Sequence, residues 1–238
     1  MLTLHACLEC LTCPKTAFQL HLRVLWRIPS ATAVPSAPDQ ADHLVFSERF
    51  RTLADIEAIQ SQPIQPTTNG NMASIVKSMR DVAARDSTTA QRAARIPDFG
   101  LSYIAGCIGR YGLRVWCPDL SESAYSLYNS AHRYIALDTF RQLAVGGAYD
   151  HEHINKAHID NMNLLISSYD HYVHHYMQSI YRRELRHPGI AAVIASRDAI
   201  HSRRRALAHA RADWLHRAGY PDRVCKFIGD IDGTSDDE

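Results

Sequence analysis

The 238-residue chain carries 26 Lys and Arg against 25 Asp and Glu, a net charge of +1 at pH 7. No global field therefore steers it to nucleic acid or to an anionic bilayer, and any such preference has to come from local asymmetry. With 46% hydrophobic and 21% charged residues, the composition is that of a globular protein, and no run approaches the roughly 20 apolar residues of a membrane span.

Met1 to Ile28 reads as irregular and lacks the basic n-region of a secretory signal. Six cysteines without a regular framework point to reduced thiols and a cytoplasmic or nuclear protein. Cys7, Cys10 and Cys13 resemble part of a zinc or iron–sulfur ligand run, since two-residue spacing lets neighbouring thiolates reach one metal. A fourth ligand at a recognised spacing is missing, because His5 and His21 stand at none. Pro29, Pro35 and Pro38 then mark an extended linker.

A short amphipathic helix is expected over Ser47 to Gln60, with Ser47 as N-cap. Pro63, Pro66 and Asn69-Gly70 break the chain, and Met72, Ile75, Val76 and Met79 place a second short helix over Asn71 to Arg85. Between Leu101 and Cys117 the glycines at 106, 109 and 112 fit a helix followed by a turn, or two short strands, and the helix is preferred. Asp119-Leu120-Ser121-Glu122 looks like a capping box opening a helix that Gly146-Gly147 ends. The next helix is expected over Glu152 to Arg186, with a seam through His158, Met162, Leu165, Tyr169, Tyr172, Tyr176 and Ile180. The last runs from Gly189 to Ala218. Its Val193, Ile200, Leu207 and Trp214 recur every seventh residue and are expected to be buried against Met162, Leu165, Tyr169 and Tyr176.

Most of the fourteen histidines lie beyond His132. His171 and His175 are four apart and share a helical face, the spacing of a zinc or copper chelate, but they point away from the seam and need a third ligand such as His132 or His201. They are read as solvated side chains, with metal binding as the alternative. Cys107 and Cys117 are read as core thiols. No nucleophile elbow, P-loop or dinucleotide fingerprint is present, so no catalytic residue can be assigned and no cofactor is expected.

Arg182 to Arg217 holds nine arginines against three acids, and Arg197, Arg204 and Arg211 recur every seven residues. Such a row could track phosphates, meet a partner's carboxylates or meet the chain's own acidic tail. The chain-wide excess of 22 Arg over 4 Lys is itself read as codon bias. Asp230 to Glu238 is an acidic tail carrying −5, and Ser235 sits in the context of an acidic-directed kinase site.

Several phrases look like an uncharacterised multicopy protein family of basidiomycete fungi. They are Trp116-Cys117-Pro118-Asp119-Leu120-Ser121-Glu122-Ser123, Thr139-Phe140-Arg141, Gly147-Ala148-Tyr149, Tyr169-Asp170-His171-Tyr172-Val173-His174-His175 and Gly219-Tyr220-Pro221-Asp222-Arg223-Val224. The resemblance spans roughly 97–238 and implies no activity.

The sequence thus predicts an all-α protein, an antiparallel helical bundle with a poorly ordered N-terminal region. Residues 1–43 form an irregular segment and linker, 44–97 short peripheral helices, 98–229 the helical core and 230–238 a disordered tail. The expected function is a non-catalytic interaction module using its basic C-terminal helix, toward a protein partner in preference to nucleic acid, and not toward a membrane. The alternatives are a metal-dependent enzyme using His171 and His175, or a mobile-element-derived reading frame without function.

Overall fold

The computed structural model describes residues 16–28, 33–62, 77, 80, 81 and 88–231. Among them there is no strand, so the protein is all-α. The chain divides into two compact units, Met1–Arg182 and Arg183–Glu238. The helix expected over Asn71 to Arg85 falls largely outside the described residues, as do Cys7, Cys10, Cys13 and Ser235.

The first unit is built around a helix where an irregular segment was expected. Residues 16–26 are helical (α1), and Ala17, Phe18, Leu20, Leu22, Val24, Leu25 and Trp26 are all buried. The segment shows no amphipathic period because it is covered on nearly every side, which is the pattern of a central helix. His21, in its middle, is fully buried between the Tyr149 hydroxyl (2.6 Å from Nδ1) and Thr139 Oγ1 (2.8 Å from Nε2).

Sharing one hydrophobic core with α1 are α2 (Gln40–Arg49), α3 (Leu53–Gln60), α4 (Thr88–Ala93), α5 (Asp98–Arg110) and α6 (Leu127–Val145). The single helix expected over Ser47 to Gln60 is instead two. Asp39 caps α2, and Thr52 with Asp55 forms a capping box that restarts the chain as α3. Phe46, Phe50 and Ile56 turn both helices onto the core. The glycine-spaced segment from Leu101 is helical through Arg110. Helix α6 begins later than the sequence suggests. Its N-cap is Ser126, while Asp119 turns back on Ser121 and leaves the capping role.

After two short 3₁₀ turns, Asp150–Glu152 and Lys156–His158, come α7 (Met162–Asp170), a π-helical stretch His171–Met177 and α8 (Gln178–Arg186). The expected seam holds through Leu165, Tyr169 and Tyr172, then slips by one residue. Met177 is fully buried, whereas Tyr176 is 41% exposed. Bonding from i to i+5 widens the π turn by one residue and carries the inward face with it.

The second unit is a helical hairpin. Glu184 accepts from the amides of Gly189 (2.5 Å) and Ala191 (3.0 Å), so its carboxylate caps the start of α9 (Ile190–Arg217), and these two bonds lower its pKa from the ordinary value. Gly219, at φ +80°, takes the left-handed conformation that ends α9, and α10 (Asp222–Ile228) folds back with Cys225 buried. The stripe expected to be buried is not: Val193 is 62% and Trp214 60% exposed, with Ile200 and Leu207 half-buried. The inward line runs instead through Arg204, Ala208, Arg211 and Leu215.

Candidate functional site

Two groups of side chains in the first unit have the chemistry of a site. The first forms where α2 meets the loop before α6. Helix α2 is held by Arg114, which binds Asp42 (2.7 Å) and Asp39 (3.0 Å), and by burial of Phe46 against Tyr128. This sets His43 with its ring flat on Tyr128, centroids 3.9 Å apart and planes 23° from parallel.

The loop opposite is fixed by the buried Asn129, the third residue of α6. Its amide oxygen accepts from the Asp119 N–H (2.8 Å), and its nitrogen donates to the carbonyls of Asp119 (2.9 Å) and Ser123 (2.8 Å). Ser121 donates to Asp119 Oδ1 twice, from its backbone N–H (2.7 Å) and its hydroxyl (2.5 Å). Partial burial would raise the Asp119 carboxyl, but Ser121, His43 and the Glu122 amide outweigh it and hold the group below its ordinary value.

The second oxygen, Oδ2, is thereby left facing His43 Nε2 at 3.1 Å. The two are within ion-pair distance, but the contact is not aligned for a hydrogen bond, and Nε2 is buried without a hydrogen-bonding partner. With Glu122 added, one ligand atom from each of the three residues lies within 4.8 Å of the others. A shallow cleft of about 510 Å³, lined among others by Gln40, Ser47, Ser121 and Tyr181, opens beside them. Sequence reasoning took Asp119 and Glu122 for helix-capping residues and passed over His43. The short spacing of the two acids was the only signal, and nothing in the sequence brings a histidine 76 positions earlier beside them.

The second group is His171 and His175, which the structure does bring together. Both are exposed, on the π-helical stretch, with rings stacked at 5.2 Å and 23°. Among the described residues, no group of three potential metal ligands includes either. His132, considered as a third ligand, is fully buried with Nδ1 on the Tyr128 carbonyl (2.9 Å), and burial pushes it down to about 4. His174, between the pair, is half-buried and lowered by burial. Cys107 and Cys117 are buried thiols, as read from the sequence, and burial pushes Cys107 up to about 12, which makes it a poor nucleophile.

In the second unit, the three arginines singled out in the sequence lie along α9, one exposed and two half-buried. Arg197 is exposed, but Arg204 and Arg211 are half-buried on the inward face of α9, and Arg204 donates to the Ile231 carbonyl (3.2 Å). A different strip faces outward. Arg203, Leu207, Ala210, Trp214 and Arg217 fall within about 80° of one another on the wheel. Beside it, Ala210, Arg211, Trp214, Leu215 and Ile228 line an apolar concavity of about 380 Å³. Trp214 also sits near Tyr220, with ring centroids 6.5 Å apart.

The two units define an all-α protein with a histidine–carboxylate cluster in its first unit and an aromatic, arginine-flanked hairpin as its second. Residues 182–238 match the family described as Domain of unknown function (DUF8263), a segment that takes in the whole second unit. None of the curated proteins and none of the solved structures compared with the chain matches it. No helix among the described residues is long and apolar enough to cross a membrane.

Proposed function

We propose that the chain is a non-catalytic helical interaction module of the cell interior, and that its second unit binds a protein partner through the outward strip of α9. The observation that supports this reading is the imbalance between buried and exposed apolar side chains in that unit. Among its described residues only Ala208 and Cys225 are buried, while Leu185, Val193, Trp214, Tyr220 and Phe227 are 49–78% exposed. A unit of this size with so small a core leaves apolar surface that a partner would cover.

Charge says what kind of partner. Arg203 and Arg217 bracket Leu207 and Trp214, and exposed Arg197 and Arg205 extend the basic surface, so the complementary segment is apolar with acidic flanks. Arg and Trp are also the residue types that most often carry the energy of protein interfaces. The resemblance of 97–238 to a multicopy fungal family belongs to this reading and adds no activity to it.

The test takes a partner captured on the full-length chain, purifies it, and measures its affinity for variants. Trp214→Ala and Arg203→Glu should each weaken binding by about 30-fold or more, the equivalent of roughly 2 kcal/mol for a central contact. A dissociation constant unchanged by both would refute the assignment. So would binding of a generic DNA duplex that tightens when residues 230–238 are deleted, weakens on phosphorylation of Ser235 and falls with salt by about 0.9 log units per phosphate contacted.

A further inference from the structure

We propose that His43, Asp119 and Glu122 form a binding site for a divalent transition-metal ion of the zinc type. The inference does not depend on the interaction surface of the second unit. It rests on three features of the geometry.

The first is the unaligned contact between His43 Nε2 and Asp119 Oδ2. The two groups are within ion-pair distance at 3.1 Å, yet Nε2 is buried and makes no hydrogen bond to the carboxylate or to any other group. Two ligands of one tetrahedral ion with bonds of about 2.0–2.1 Å stand about 3.3 Å apart, so a shared cation accounts for the spacing and for the missing alignment.

The second is preorganisation. Ser121 occupies Oδ1 and frees Oδ2, Asn129 clamps the loop backbone, and Tyr128 holds the imidazole plane. Outer contacts of this kind orient metal ligands in known sites. The third is the donor set. One imidazole and two carboxylates neutralise a dication, and imidazole favours zinc, copper, iron or nickel over magnesium and calcium. Glu122 is exposed and the adjoining cleft is open, so a fourth position is left for water. The ion would tie α2 to the loop before α6.

The test uses the tag-free, full-length chain stripped of metal, titrated with Zn²⁺ by calorimetry and with Co²⁺ by visible absorption. One equivalent should bind with the spectrum of nitrogen and oxygen ligation and without thiolate charge transfer. Glu122→Gln, an isosteric change at an exposed position that spares the fold, and His43→Gln should each abolish stoichiometric binding. Ser121→Ala, which unties Asp119, should weaken it by about 10–100-fold. A combined His171→Ala and His175→Ala variant, and a variant with Cys7, Cys10 and Cys13 changed to Ser, should bind as the parent does. Absence of saturable binding, unchanged affinity in Glu122→Gln, or loss of binding only in the His171/His175 or cysteine variants would overturn the proposal.

Discussion

Mild acid should destabilise the first unit before its carboxylates begin to protonate, because two histidines are sealed in its core. Burial pushes His21 down to about 3 and His132 to about 4, from an ordinary 6.5. In the unfolded chain both imidazoles take up a proton as the pH falls through about 6.5, whereas in the native state neither does until far lower. The unfolded state therefore binds more protons across that window, and stability declines as pH falls. At one pK unit per 1.36 kcal/mol, each histidine costs about 2 kcal/mol between pH 7.5 and pH 5, about 4 kcal/mol for the pair. That is a large share of the 5–15 kcal/mol typical of a domain. The assay is urea unfolding over this pH range, followed by tryptophan fluorescence in a Trp214→Phe background. Trp26 and Trp116, both buried in the first unit, then supply the signal. His21→Leu should lower stability at neutral pH, since it orphans the Tyr149 hydroxyl, and should halve the loss on going to pH 5. Equal losses in parent and variant, or a stability flat across the window, would refute the reasoning.

Three further outcomes follow from burial and contact. Trp116→Ala should cost about 3–5 kcal/mol, since that ring is fully buried with its N–H on the His132 carbonyl; Trp214→Ala should shift stability by no more than about 0.5 kcal/mol. A reversed order in chemical denaturation would mean that the second helical hairpin, not the first unit, holds the core. Arg92→Ala removes a two-pronged bond to Glu152 (2.9 and 2.5 Å), whose side chain is only 8% exposed, and should cost about 1.5–3 kcal/mol by urea titration; a neutral result would show that Glu152 finds water instead. Gly189→Ala, at φ +87° in open space, should lower the melting midpoint of the second unit through about 1–2 kcal/mol of backbone strain alone, and an unchanged midpoint would show that the turn relaxes.

Much of the helix content could be read from periodicity, and the errors have physical causes. Helix α1 was passed over because its residues are covered on nearly every side, so no apolar–polar period appears. The seam of α7 was right until the π turn, where one extra residue per turn replaced Tyr176 by Met177. In α9 a seven-residue stripe of large apolar residues suggested a buried face, yet the face that packs carries Ala208 and the stems of Arg204 and Arg211. Small side chains let α10 come close, as where Ala212 meets Gly229, and long arginine side chains can cover apolar surface with their hydrocarbon stems. Size and hydrophobicity alone therefore pointed to the wrong side of the helix.

Composition, helical spacing and punctuation by proline and glycine determined by themselves that the protein is all-α and that the chain turns at Pro188-Gly189 and Gly219. These are local properties, decided by backbone propensity and by neighbours within a turn or two. Which histidines are buried, which arginines pack inward, and that His43 meets Asp119 and Glu122 were decided only by tertiary structure. Each depends on a juxtaposition of segments distant in sequence, and no local pattern encodes the free energy that brings them together.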